Sequence, residues 1–184
     1  MIRNAHDALA AMASALTITL AALTPLSSAN AAQTCSSSIK DSSVKGDISV
    51  QGTCSIQGSR IEGNVTIQPG STLIITHNTL LGSLSGDKVK MLDAQGSNLG
   101  KGILITNGVD NVKLTDTSVS GAAIMLSGAK TVELSGSNVG DSMTLKDNSR
   151  VLKITDSTVR NGLSCNRGIA FQSIGSNVTG QVNC

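Results

Sequence analysis

Val112-Lys113-Leu114-Thr115-Asp116-Thr117-Ser118-Val119 is followed twenty residues later by Val132-Glu133-Leu134-Ser135-Gly136-Ser137-Asn138-Val139, and twenty after that by Leu152-Lys153-Ile154-Thr155-Asp156-Ser157-Thr158-Val159. In each copy an aliphatic pair spaced by two leads into a short polar phrase that closes on one aliphatic residue. Recurrence at a fixed period of this length is the mark of a solenoid, in which one copy makes one turn. Outward from this stretch the closing aliphatic recurs as Val44, Ile61, Leu80, Leu99, Val119, Val139, Val159 and Val178, at spacings of 17, 19, 19, 20, 20, 20 and 19.

The other apolar residues fall into columns relative to these anchors. Five residues before them stand Ile56, Ile75, Ala94, Leu114, Leu134 and Ile154, and seven before them Cys54, Leu73, Leu92, Val112, Val132, Leu152 and Phe171. Four after come Ile48, Val65, Leu84, Ile103, Met143, Leu163 and Val182; six after come Val50, Ile67, Ile105, Leu145, Cys165 and Cys184. Apolar pairs separated by two have the period of a strand with one buried face, and helical spacing is not sustained after residue 32. Two or three short strands per turn, each stacked on its counterpart, predict an all-β parallel β-helix of about eight coils with a period of 19–20 residues. Gly86 and Ser173 interrupt inward columns, Ala123-Ile124-Met125-Leu126 fits either register, and Cys35 and Ile39 give the first coil a different spacing. Bulges or shifted strands are expected there.

The phrases at 112–119 and 152–159 resemble the coil consensus of pectin-lyase-like right-handed β-helices, and the resemblance in repeat architecture runs over residues 35–184. It implies right-handed winding, as does the general preference for right-handed parallel crossovers. It also implies a comparison of sites, because enzymes of that family carry acidic and basic residues on the outer face of one sheet and bind sugar polymers along it. Here the corresponding outward positions are Ser49, Thr66, Ser85, Leu104, Thr144, Ser164 and Asn183, without a carboxylate cluster and without Arg or Lys.

Composition agrees with thin stacked coils. The chain has 184 residues with no Trp, no Tyr and a single Phe171, and a narrow stack can be filled by aliphatic side chains alone. Residues 1–31 have the form of an export signal: Arg3, the uncharged apolar run from Ala8 to Leu23, and the small residues Ala29-Asn30-Ala31, with cleavage expected after Ala31. That run is short against the ~20 residues of a membrane span, so no span is expected after cleavage. Residues 32–184 then form one domain of a secreted or periplasmic protein. Net charge is +2 with no charge run, which gives no nucleic-acid footprint.

The cysteines follow the coil. Cys35 and Cys54 are 19 apart, as are Cys165 and Cys184, so each pair is expected in neighbouring coils, close enough for a disulfide. Cys-x-x-Cys is absent and His77 is the one histidine after residue 31, so no metal or other cofactor is expected. No Gly-x-Ser-x-Gly elbow occurs, His77 falls in a turn, and no catalytic residues are expected.

Stacked copies lie about 4.8 Å apart, so identical charges would face each other. Three residues before the anchors the order is Asp41, Gly58, His77, Gly96, Asp116, Gly136, Asp156, Gly175, and on another column Lys113, Glu133 and Lys153 alternate in sign. The acids are expected in turns, bonded to their own backbone. Thr115, Ser135 and Thr155 align with Thr117, Ser137 and Ser157 as a pair of hydroxyl columns beside Lys113, Glu133 and Lys153, and these nine residues form the candidate binding face. The expectation is an exported non-catalytic surface, adhesion or structural protein with a glycan or surface protein as partner. Alternatives are a polysaccharide-acting enzyme and an ice- or crystal-surface binder.

Overall fold

The computed structural model describes residues 32–147 and 149–184, and the expected export signal lies outside them. Every strand pairing is parallel, and the strands stack into three columns. The first column contains Gln33–Cys35, Ile48–Val50, Val65–Ile67, the starts of Leu84–Gln95 and Ile103–Thr115, then Ile124–Ser127, Met143–Lys146, Leu163–Cys165 and Val182–Asn183. The second runs from Ser38–Lys40 and Thr53–Gln57 through the ends of the two long strands to Ala129–Ser135, Val151–Thr155 and Ala170–Ile174. The third is a stack of eight two-residue strands from Ser43–Val44 to Asn177–Val178, each ending on an anchor aliphatic. Because Leu84–Gln95 and Ile103–Thr115 continue through the corner, the first and second columns merge into one sheet.

The expected inward columns are the core. Ile56, Ile75, Ala94, Leu114, Leu134 and Ile154 are in register and buried, as are the anchors from Ile61 to Val159. Parallel pairing with the coils on both sides satisfies the backbone of each inner turn, which lets a core this thin exclude water from its peptide groups.

The irregular places have specific causes. At Gly86 the inward space is taken by the Val89 side chain, whose Cγ2 lies 2.5 Å from where a Cβ at Gly86 would sit. At residues 123–126 the chain advances one residue: Ile124 pairs with Ile103 and Leu126 with Ile105, both buried, while Met125 points outward beside Leu104. Ser173 pairs with Ile154 in the last described coil and is exposed.

All eight residues of the Asp/Gly/His column have left-handed φ, from 46° at Asp41 to 61° at Gly175. This single residue turns the chain between the second and third columns. Among the described residues none of these Asp side chains bonds its own backbone, contrary to the expectation. Instead Asp41, Asp116 and Asp156 lie where a Cβ on Gly58, Gly136 and Gly175 of the next coil would be, and His77 lies 2.7 Å from such a Cβ on Gly96. The alternation is steric: each side chain leans over a coil that has none.

Both disulfides form as expected, Cys35 with Cys54 and Cys165 with Cys184. Their geometry differs. Leu163 faces Val182 and Ser164 faces Asn183, so Cys184 continues the same ladder above Cys165, at a Cα separation of 4.6 Å. Cys35 instead faces Val50, and Cys54 faces Leu73 in the second column, so the first disulfide ties two columns together across a corner, at 5.6 Å. Closing a loop of this size stabilises by roughly 3 kcal/mol in the chain-entropy model. Replacing Cys165 and Cys184 by Ser is expected to speed amide exchange over Ala170–Cys184 and leave Leu73–Leu134 protected. Uniform loss of protection along the rod would contradict this.

Candidate functional site

The second column supplies the face singled out from sequence. Asp93, Lys113, Glu133 and Lys153 stack in register, which extends the charge alternation by one coil. Thr115, Ser135 and Thr155 form the adjacent outward column, between Gln95 and Ile174. These six candidate residues therefore share one surface.

Thr117, Ser137 and Ser157 do not belong to it. They are buried, 2–4% exposed, and face the same interior as the anchors two residues on. The left-handed residue before each of them resets the alternation of the strand, so a column that reads as external turns inward. Their hydroxyls serve the backbone: Thr117 Oγ1 donates to Thr115 O (2.9 Å) or Ala94 O (3.1 Å), while Thr117 N–H donates to Ser137 Oγ and Ser137 N–H to Ser157 Oγ. Ser59, Asn78, Ser97 and Ser176 occupy the same rung in other coils and complete an internal polar ladder. Of the two hydroxyl columns, only the one at Thr115, Ser135 and Thr155 faces solvent.

The third column carries a further outward ladder. Thr79, Asn98, Ser118, Asn138, Thr158 and Asn177 stack in register, hydroxyl and amide alternating, with the amides the more exposed. The first column is polar on its outer side except at Leu104 and Met125, which are 47% and 41% exposed. The ambiguous register around Met125 hid that adjacency.

At the corner between the first and second columns lie two adjoining cavities of about 440 and 380 Å³. Lys90, Asp110, Lys130 and Arg150 occupy consecutive rungs beside the inward residues Val89, Val109, Ala129 and Ser149. Lys88 adds a further cation, and the floor is backbone at Gly70, Gly108 and Gly128. These bases are more than forty residues apart at the extremes, so no charge run announces them.

His77 is exposed in its turn against Gly96. Among the described residues no group of three His, Cys, Asp or Glu side chains converges as a metal site, and no helix is long and apolar enough to cross a membrane. In comparisons with known proteins, no family model, no curated protein and no solved structure matches the chain.

Proposed function

We propose that the chain is an exported, non-catalytic β-helical protein with a surface, adhesion or structural role, and that it engages a glycan or another protein along its polar ladders. The observation that carries this is the third-column ladder from Thr79 to Asn177, which repeats hydrogen-bonding groups at the coil rise of about 4.8 Å along one side of the rod. Regular polar groups on a rigid sheet suit an extended partner, because few side chains need to be ordered on binding. The charge-alternating column from Asp93 to Lys153 offers a second such side.

Export belongs to the same proposal. Two disulfides at the ends of the described coils fit an oxidising compartment, and the composition of residues 1–31 fits a cleaved signal. Right-handed, pectin-lyase-like winding is likewise proposed from the coil phrases, with parallel stacking in its support.

The test is a glycan array run beside an assay for cleavage of uronate polymers, together with capture from envelope fractions. Saturable binding without shortening of the bound polymer is expected. Release of shorter or unsaturated products would overturn the non-catalytic reading.

A further inference from the structure

We propose that the cationic corner between the first and second columns binds one extended polysaccharide chain bearing sulfate or phosphate groups. This adds a ligand class to the non-catalytic reading above and rests on it.

Four bases and two acids line the two cavities, and of the acids only Asp110 is paired with a cation, so Asp147 keeps its charge there. Asp110 Oδ1 lies 2.6 Å from Lys130 Nζ, and Asp147 accepts a hydrogen bond from Ser127 Oγ. Lys88, Lys90 and Arg150 have no acidic partner within 4.0 Å among the described residues. The four bases outnumber these two acids even when Asp87, which accepts from Asn107 Nδ2 at the edge of the corner, is counted with them, so the corner keeps net positive charge.

Shape adds to charge. The chain from Ile105 to Val109 has one residue more than the corresponding turn from Gly86 to Val89, and the surplus falls at Asn107-Gly108. Bulges of this kind re-aim neighbouring side chains and sit beside functional sites in other sheets. Gly108 has φ of 116° and only one atom within 4 Å of a Cβ placed on it, the Gly128 carbonyl oxygen at 3.9 Å. A ligand can consequently approach the backbone between the lysines.

The arrangement selects a single chain over a duplex. The bases follow the corner in single file over about three coil heights, roughly 14 Å, with gaps of about 5–10 Å between rungs. That matches anionic groups along one polymer strand. A nucleic-acid duplex would need a broad basic face, and a single strand would need aromatic platforms. Sulfate and phosphate suit Lys and Arg because several oxygens accept from several donors at once.

The test uses the full oxidised protein without its signal, at about 50 mM salt where such contacts are little screened. Titration with a sulfated glycosaminoglycan octasaccharide and with a phosphorylated mannose oligosaccharide of similar length is followed by calorimetry. Binding of either supports the site, and the tighter of the two identifies the anion. Replacing Lys88, Lys90 and Arg150 together by Gln should weaken it at least tenfold, whereas the equally charged Lys40→Gln, Lys45→Gln, Lys101→Gln variant should stay within twofold. Equal weakening by both variants, no binding of either polymer, or tighter binding of a DNA duplex would overturn the proposal. Shortening of the octasaccharide would instead count against the non-catalytic reading while leaving the site in place.

Discussion

Gly82→Ala is expected to lower the unfolding free energy by at least about 3 kcal/mol, although it adds only one methyl group. Gly82 is buried where consecutive coils meet, and a Cβ there would press on the Gly63 carbonyl and stand 2.8 Å from Asn64 N. Those atoms are backbone and cannot rotate away. Relief requires the coils to part, and the bonds that hold them at this point are Leu81 N–H to Ile61 O (2.8 Å), Val65 N–H to Ser83 O (2.9 Å) and Ser83 N–H to Asn64 Oδ1 (3.0 Å). Gly63 stands in the same relation to the Gly46 carbonyl, so the close approach continues down the stack. Gly52→Ala is the matched comparison: its φ of 69° makes any side chain unfavourable, but nothing lies within 4 Å of a Cβ there. That change should cost about 1–2 kcal/mol. Urea midpoints measured at equal slope separate the two; equal losses would refute the steric account.

Most of the fold is legible in the apolar columns, because a strand buried on one face must repeat with period two and a solenoid must repeat that strand every coil. Ile56 to Ile154 and the anchors satisfy both demands, and their own spacing is enough to show it. The inward column Val89, Val109, Ala129 was not legible, since it lies at a corner where coils differ by a residue and where Ser71 and Ser149 take the same place. Periodicity carries across a regular strand and fails across a turn of variable length.

The candidate site suffered from the same limit. Lys113 and Thr115, with their stacked copies, lie within one strand, so their common surface follows directly from alternation. Thr117 lies beyond the left-handed Asp116, where alternation restarts, and counting from Val119 rather than from Leu114 would have placed it inside. Cys35 shows the companion effect at the coil level. A separation of 19 residues equals one period elsewhere, but the first turn from Cys35 to Val50 takes only fifteen, which carries Cys54 into the next column. The pairing survives because a corner also brings Cα atoms within disulfide range.

The internal ladder yields the second large effect. Asn78→Ala is expected to cost about 2–4 kcal/mol, while Asn78→Ser should cost no more than about 1 kcal/mol. Asn78 is 3% exposed, and its side chain spans two coils: Oδ1 accepts from Ser59 N–H at 2.7 Å, and Nδ2 donates to Ile56 O at 2.6 Å and to Thr76 O at 3.1 Å. Alanine leaves the Ser59 N–H unpaired in the interior, where water cannot replace the lost acceptor, and the Ile56 carbonyl loses its Asn78 donor. Serine restores the pattern used one coil away, where Ser97 Oγ donates to Gln95 O at 2.9 Å and accepts from Asn78 N–H at 3.1 Å. The two substitutions remove similar volume, so packing loss alone predicts similar destabilisation. Thermal and urea unfolding of both variants decide between the two causes: a serine variant as unstable as the alanine variant would mean that volume, and not hydrogen bonding, sets the stability of this rung.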